Sequence, residues 1–262
     1  MTGKQNYRLR QFISILLAWS TIACITTSVN AETDEERVGE VAAGRILGAA
    51  PLVDVAVAQR YLNLVGQTIA QSQDGGYKWR FGVLKTDSVN AFATPGGFVM
   101  VTVGLVKQLQ SEDELAFVLS HEMAHVLRRH HYKVVLRQRL AETAAKNLQA
   151  AAGGAANSAL SQASAEIYAR GLDKTTEFEA DQLGVELMTR AGYDPAASIG
   201  VLERLQRIKG DDPRTELLFS THPSPGERLD HLLQIGVDGL PRPTPDGVSK
   251  RTARFRQILK QF

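Results

Sequence analysis

SEDELAFVLSHEMAHVLRRHH, residues 111–131, is the stretch from which the fold can be inferred. Ser111 followed by Glu114 is a capping box, which predicts that a helix begins here. The body of this helix, residues 115–127, is apolar on almost every side except at Ser120, His121, Glu122 and His125. A helix that is apolar all round is usually buried, so we expect this one to lie at the centre of the domain.

The histidines of this helix have the spacing of metal ligands. His121 and His125 are four residues apart, so both imidazoles lie on one face and can reach one ion. Glu122 beside them has the position of a general base. The alternative is a pair of core histidines satisfied by hydrogen bonds. The sequence favours the metal site, because buried polar side chains without such a role are costly.

His131 lies ten residues after His121, where another class of zinc protease takes its third ligand. That class needs a glycine at the seventh position, and here the residue is Arg128. In a continuous helix, His131 would lie about 15 Å along the axis from His121 and be turned by about 80°. We therefore exclude His131 as a ligand. With His130 it is expected to lie at the helix C-terminus, whose partial negative charge favours imidazolium.

A second helix, predicted from residue 174 to 190, offers a third ligand. Glu177, Asp181, Gly184 and Met188 share one of its faces. Glu177 could bind zinc, and Asp181 could accept a hydrogen bond from a ligating histidine. Gly184 would let the two helices approach closely, whereas Glu179 points about 200° away from Glu177. The alternative is a solvated acidic face. Two histidines and one glutamate with an open fourth position would form a catalytic site for one zinc ion per chain.

The loop THPSPGER, residues 221–228, supplies two further candidates. His222 could stabilise the oxyanion, or it could occupy the open zinc position and keep the enzyme latent. Arg228 could fix the loop or grip the substrate. In the alternative interpretation, His222 only caps the helix that begins near Ser224.

Residues 77–103 change to a period of two, which predicts a small β-sheet after the first helices. The expected strands are 79–83, 89–94 and 98–103, and Pro95, Gly96 and Gly97 form the break between the last two. The fold class is therefore α+β, mostly helical, with an edge strand that borders the active site. We expect a peptide substrate to add alongside that edge. The predicted substrate-binding residues are Asn90, Ala91, Phe98, Val99, Met100, Val101 and Thr102.

The first 31 residues have the pattern of a secretory signal peptide, with a basic start, an apolar run and a small-residue cleavage site that ends at Ala31. An uncleaved anchor is the alternative, but the apolar run is short for a membrane span. Cleavage after Ala31 would remove the single cysteine, Cys24, and change the net charge from +2 to −1. The predicted location is the periplasm, and the near-neutral charge gives no reason to expect nucleic-acid binding.

The remaining chain is predicted to form a catalytic domain over residues 32–240, followed by a proline-rich connector and a basic amphipathic helix over residues 241–262. This tail could touch an anionic membrane surface. We favour the alternative, in which Phe255, Ile258 and Leu259 dock on the domain and the charges stay solvated. The Ala-, Ser- and Gly-rich segment 144–169 is predicted as either a weak helix or a mobile flap.

Five motifs in order resemble the zinc peptidase family that includes the CAAX prenyl protease and the HtpX membrane protease. They are NAFATPGGFVMVTVGLV (90–106), HEMAH (121–125), EFEAD (177–181), AGYDP (191–195) and THPSPGER (221–228). Within that family, a short chain with a signal peptide is similar to the periplasmic quality-control branch, but the helical-repeat domain found there is missing. The resemblance implies that Glu177 is the third zinc ligand.

The predicted function is a zinc-dependent endopeptidase of the periplasm that degrades misfolded or unassembled envelope proteins. Zinc would activate a water molecule, and Glu122 would take its proton and pass it to the leaving amine. Two alternatives stay open. One is a non-catalytic periplasmic chaperone in which zinc only joins two helices, and the other is a zinc hydrolase of cell-wall peptides.

Overall fold

A computed structural model describes residues 34–73, 76–151, 172–208 and 212–262 of the chain. The predicted signal peptide, residues 1–31, lies outside these ranges, and so does most of the segment 144–169. The elements follow in the order α1 (34–49), α2 (Ala56–Gln71), β1 (Arg80–Leu84), β2 (Ala91–Thr94), β3 (Phe98–Thr102), α3 (Val103–Val106), α4 (Glu112–Leu127), α5 (His130–Ala151), α6 (Lys174–Arg190), α7 (Ala197–Arg207), α8 (Glu216–Thr221), α9 (Pro225–Gln234) and α10 (Pro245–Leu259).

The three strands form one mixed sheet in the order β1-β3-β2, with β1 parallel and β2 antiparallel to β3. The predicted α+β class, mostly helical with a small sheet, is confirmed. The prediction that a substrate strand adds alongside Phe98–Thr102 is wrong, because this segment is the central strand. Its residues Phe98, Val99, Met100, Val101 and Thr102 pair with β1 on one side and with β2 on the other. The strand at the edge of the sheet next to β3 is β2.

Helix α4 is the central element of the domain, as its sequence predicted. Every residue from Glu112 to Val126 is buried. The helix begins at Ser111, whose hydroxyl accepts a hydrogen bond from the Glu114 N–H at 3.1 Å. The Glu114 carboxylate in turn accepts the N–H of Gln110 at 2.7 Å. The cap therefore fixes the start of the helix that carries His121, Glu122 and His125.

Helix α10 packs directly against α2 and α4 of the domain. Phe255 is fully buried in the main core, and Ile258 and Leu259 pack at its margin. The expected docking of these three side chains is therefore seen. The expectation that the charges of this tail stay solvated is wrong for Arg251, whose side chain is 17% exposed, whereas the Arg254 side chain is 50% exposed and stays partly solvated. Arg251 pairs with buried Asp113 at 2.7 Å, and Arg254 pairs with buried Glu112.

None of the helices in the described part of the chain is long and apolar enough to cross a membrane.

Candidate metal centre

Four buried side chains converge between α4, α6 and the end of α8. Their donor atoms all lie within 4.8 Å of one another. Helix α4 contributes His121 and His125, α6 contributes Glu177, and His222 directly follows the last residue of α8. Three segments far apart in the sequence thus bring a His-His-Glu-His set to one point.

The two histidines of α4 present the same ring nitrogen to this point. Their Nε2 atoms are 3.0 Å apart, as the four-residue helical spacing predicts. The other ring nitrogen of His121, Nδ1, lies 2.9 Å from the Asp181 carboxylate. Each ring is thus held with Nε2 toward the centre of the cluster and Nδ1 toward a neighbouring polar group.

Gly184 permits the close approach of α4 and α6. A Cβ at this position would lie 3.0 Å from the backbone nitrogen and 3.2 Å from the Cα of His121. The predicted face of α6, with Glu177, Asp181, Gly184 and Met188, is indeed its buried face. The absence of a side chain at Gly184 is therefore what brings the Glu177 carboxylate to within 3.5 Å of both His121 and His125.

Glu177 is fully buried but surrounded by basic groups. Burial alone raises the pKa of a carboxyl group, whereas His222 and Arg228 hold the pKa of Glu177 well below its usual range. For His125, burial lowers the pKa well below its usual range. An ionised carboxylate and a neutral imidazole are the forms in which these side chains bind metals.

Glu122 lies beside the four donors and is 2% exposed. Its Oε1 atom is 3.6 Å from Nε2 of His222. Its Oε2 atom is buried and has no hydrogen-bond partner among the described residues. Burial raises the pKa of this carboxyl group. A carboxylate with a free acceptor and a raised pKa is suited to receive a proton.

His222 enters the cluster with its Nδ1 atom, 3.2 Å from Glu177 and 3.4 Å from Nε2 of His121. Its imidazole is 6% exposed. Helix α9 begins after Ser224 without a side-chain cap. The interpretation of His222 as a helix cap is therefore wrong, because its ring points into the cluster.

Arg228 is buried and does not reach toward solvent. It binds Asp181 through two hydrogen bonds of 2.8 and 2.6 Å, and its Nη1 atom lies 3.1 Å from Glu177. Of the two predicted roles, the contacts fit fixation of the loop. The substrate-gripping role does not fit, because both carboxylates of α6 already occupy the guanidinium.

The placement of His130 and His131 differs from the expectation. Helix α4 ends at Leu127, and Arg129 adopts a left-handed conformation with φ of 57° that reverses the chain into α5. The turn brings the His131 ring centroid to 5.4 Å from that of His125. Burial lowers the pKa of His131 to about 4 and also lowers that of His130, so neither ring is the predicted imidazolium at a helix end. His131 is still not among the converging donors.

His130 and Glu179 form contacts that the sequence did not predict. Nδ1 of His130 lies 2.9 Å from Nδ1 of His125, and its Nε2 lies 3.2 Å from the Glu179 carboxylate. The only sequence feature that hinted at these contacts was proximity to the predicted ligands. His130 follows His125 by five residues, and Glu179 follows Glu177 by two. Glu179 does point away from the donor set, as predicted, and toward the start of α5.

A pocket of about 340 Å³ opens beside the cluster. It is lined by residues of the edge strand β2, α1 and α5, and by Glu122, His131 and His222. Ala91 lines this pocket, whereas Asn90 is buried and uses its Oδ1 atom to accept the N–H of Ala91 at 2.9 Å. The edge strand that borders the cluster is thus β2.

The cluster fits a metal ion by the chemistry of its donors. Two imidazoles and a carboxylate suit zinc, and a further imidazole or a water can complete four-coordination. The Nε2 atoms of His121 and His125 lie 3.0 Å apart, within 3.5 Å of the Glu177 carboxylate, and Glu122 leaves an acceptor free beside them.

Comparison with known proteins agrees with this geometry. The sequence profile of Peptidase family M48 matches residues 56–235. A beta-barrel assembly-enhancing protease from Yersinia pestis is 27% identical over 246 residues, which cover 90% of this chain and 50% of that protein. The Escherichia coli K12 protein of the same name is 28% identical over 208 residues, which cover 74% and 42%. The mitochondrial metalloendopeptidase OMA1 of Schizosaccharomyces pombe is 33% identical over 165 residues, which cover 62% and 48%.

A buried HExxH helix, a facing helix with Glu177 and a convergent donor set define a metallopeptidase-type domain. The chain belongs to Peptidase family M48, whose profile covers α2 to α9. The resemblance inferred from the five motifs is therefore confirmed. The chain spans about half the length of the curated relatives that it matches.

Proposed function

We propose that this chain is a zinc-dependent endopeptidase. The observation that carries the proposal is the convergence of His121, His125, Glu177 and His222 beside a buried Glu122. A purely structural site has no use for a free carboxylate next to the ion. Membership of Peptidase family M48 supports the same conclusion.

The proposed ligands of one zinc ion are His121, His125 and Glu177, with Asp181 as the hydrogen-bond partner of His121. Arg228 has a positioning role, since it holds both Asp181 and Glu177. A zinc ion in such a site supplies Lewis-acid activation of a water molecule and of the scissile carbonyl.

Glu122 is the proposed general base and acid. Its unpartnered Oε2 atom can accept a proton from water, and the same carboxyl group can then deliver that proton to the leaving amine. Burial excludes most solvent from this carboxylate, which is 2% exposed. The proton therefore passes between defined partners and not to bulk water.

The substrate is proposed to bind along β2 as an additional antiparallel or parallel strand. The Thr102 N–H donates to the Asn90 carbonyl, so Asn90 and Thr102 form a hydrogen-bonded pair. Hydrogen-bonded and non-hydrogen-bonded pairs alternate along an antiparallel pair of strands. The N–H and C=O groups of Ala91 and Ala93 therefore point away from β3. The Ala91 N–H already donates to the Asn90 side chain. The Ala93 N–H and the carbonyls of Ala91 and Ala93 remain for the substrate backbone. Backbone recognition of this kind suits unfolded chains.

His222 is proposed to hold the resting enzyme latent. Its Nδ1 atom is one of the four converging donors and lies 3.2 Å from Glu177. In that position the imidazole fills the place where water would have to be activated. Opening of the loop 221–228 would then be required before cleavage.

The proposed setting is the bacterial periplasm, reached through the signal sequence of residues 1–31. Three relatives above carry names that refer to proteolysis, and two are named for the enhancement of beta-barrel assembly. By analogy we assign to this chain the degradation of misfolded or unassembled envelope proteins. The docked helix α10 leaves its remaining basic residues available for proximity to a membrane surface.

The proposal is tested with the purified mature chain and unfolded casein. We expect casein cleavage that a chelator abolishes and that one equivalent of zinc restores. Cleavage of a cell-wall peptide but not of casein would replace the proposal with a cell-wall hydrolase. Binding of casein without cleavage, with zinc bound and also in the His222→Ala variant that lacks the proposed plug, would replace it with a chaperone.

A further inference from the structure

The hydrogen bonds of the two α4 histidines point to a second support of the metal centre. His121 has its Nδ1 atom on Asp181, at 2.9 Å. Among the described residues, no carboxylate contacts Nδ1 of His125. This Nδ1 atom instead meets Nδ1 of His130 at 2.9 Å, and the far nitrogen of His130 meets Glu179 at 3.2 Å.

We propose that His130 and Glu179 are positioning residues that orient His125 for the metal, as Asp181 does for His121. The inference rests on the proposed function, because it assumes that Nε2 of His125 is a ligand atom. It assigns a role to two residues that lie outside the donor set and outside the HExxH motif.

The direction of the hydrogen bonds follows from the chemistry of imidazole. A neutral imidazole whose Nε2 faces a metal carries its proton on Nδ1. Nδ1 of His125 must therefore donate, and Nδ1 of His130 must accept. The proton of His130 is then on Nε2, where it donates to the Glu179 carboxylate. The metal at one end and the carboxylate at the other fix both tautomers.

The elements around the cluster hold this chain of contacts in place. The left-handed turn at Arg129 starts α5 at His130, directly beside the end of α4. Arg129 is itself held by the Glu35 carboxylate, with its Nε atom 2.7 Å away. His130 is 3% exposed, so its ring has no alternative partner in bulk water.

The two supports differ in their access to solvent. The Asp181 side chain is fully buried and paired with Arg228, whereas the Glu179 side chain is 53% exposed. Glu179 can therefore be replaced without a cavity in the core. It provides a test of metal-ligand positioning that does not depend on refolding of the interior.

The experiment measures the dissociation constant of zinc by competition with a chromogenic chelator. Glu179→Ala is expected to bind one zinc ion about tenfold or more weakly than the wild type, within the range typical of outer-sphere partners. The Co²⁺-substituted protein is expected to show shifted absorption bands, because the orientation of one ligand ring has changed. Glu179→Gln retains an acceptor for His130, so its zinc affinity is expected to lie between those of the wild type and Glu179→Ala.

The matched control is Glu186→Ala on the same helix. The Glu186 side chain is 46% exposed and pairs with Arg190, away from the cluster. This variant is expected to match the wild type in zinc affinity and in the Co²⁺ spectrum. A loss of affinity equal to that of Glu179→Ala would mean that surface charge on α6 is responsible, and it would overturn the proposal.

A double-mutant cycle separates contact through His130 from action through space. His130→Asn keeps an acceptor near the position of Nδ1 but does not reach Glu179. Glu179→Ala should therefore have no further effect in the His130→Asn background. Equal effects in both backgrounds, or wild-type affinity of Glu179→Ala, would overturn the inference while zinc binding by the wild type stands. Absence of zinc from the wild type would overturn the proposed function as well.

Discussion

His222 is the residue that decides whether the resting centre is accessible. If its imidazole occupies the fourth position, His222→Ala should raise kcat/KM on an unfolded substrate. A loop that is closed about nine-tenths of the time would give a rise of about tenfold. The measurement is steady-state cleavage of one unfolded protein, with His231→Ala as a histidine control outside the cluster.

The opposite outcome has a definite meaning. A fall of kcat/KM in His222→Ala, with zinc retained, would identify His222 as a group that stabilises the oxyanion. Nε2 of His222 lies 3.6 Å from Glu122, so the imidazole is close to the proposed base in either role. The sign of the change therefore distinguishes latency from direct assistance.

Glu177 and His131 provide a residue-scale test of the ligand set. Glu177→Ala should weaken zinc binding by more than the roughly 10–100-fold typical of an outer-sphere partner. His131→Ala should retain about one zinc ion, because its ring is not among the converging donors. Zinc analysis after dialysis checks both variants. Loss of zinc from His131→Ala together with retention in Glu177→Ala would reverse the assignment.

The residues of the cluster were predictable to the extent that helical spacing determines them. His121 with His125, and Glu177 with Asp181, each lie one turn apart, and the structure brings them together. The position of His130 was not predictable, because Arg128 and Arg129 are ordinary helix formers. The turn at Arg129 is accompanied by a contact with Glu35, 94 residues away, which no local pattern reveals.

At the scale of the elements, strand β2 is the proposed docking edge. Ala93→Pro removes the one N–H of this edge that has no partner among the described residues, and edge positions tolerate proline. The loss of one backbone hydrogen bond should raise KM by about tenfold, with zinc content unchanged. Peptide kinetics check this, and Ala93→Gly is the control that keeps the N–H. An unaltered KM in Ala93→Pro would place the substrate elsewhere.

The strands were predictable from their alternation, but their order was not. A period of two shows that residues 98–102 form a strand, yet it does not show which neighbours pair with it. The chain places β3 between β1 and β2, with a parallel pairing that needs a crossover. The proposed docking edge is therefore β2 and not the predicted strand 98–102, but it still lies beside Glu122.

At the scale of the whole molecule, α10 stabilises the start of the metal-bearing helix. Glu112 is fully buried and pairs with Arg254 and with the Tyr61 hydroxyl at 2.7 Å. Arg254→Met should lower the free energy of unfolding by about 2–3 kcal/mol, because it leaves a buried carboxylate without its cation. Urea denaturation measures the change.

The matched control for this ion pair is the double variant Arg254→Met with Glu112→Gln. Removal of the charge from Glu112 should recover much of the lost stability, because the amide no longer needs a cation. Equal stability of the single and double variants would contradict this account. In the sequence, Glu112, Asp113 and Glu114 resembled ordinary acidic residues of a first helical turn. Their arginine partners lie 90 to 142 residues away, so only tertiary structure identifies them.

The most direct test of the zinc endopeptidase is the kcat/KM of Glu122→Gln on unfolded casein, measured together with its zinc content. The ligands remain in this variant, so we predict one zinc ion per chain and an unchanged fold. Proton transfer is lost, so we predict a fall of kcat/KM by about a hundredfold or more. Undiminished cleavage by Glu122→Gln with its zinc in place would contradict the assignment of Glu122 and, with it, the proposed mechanism.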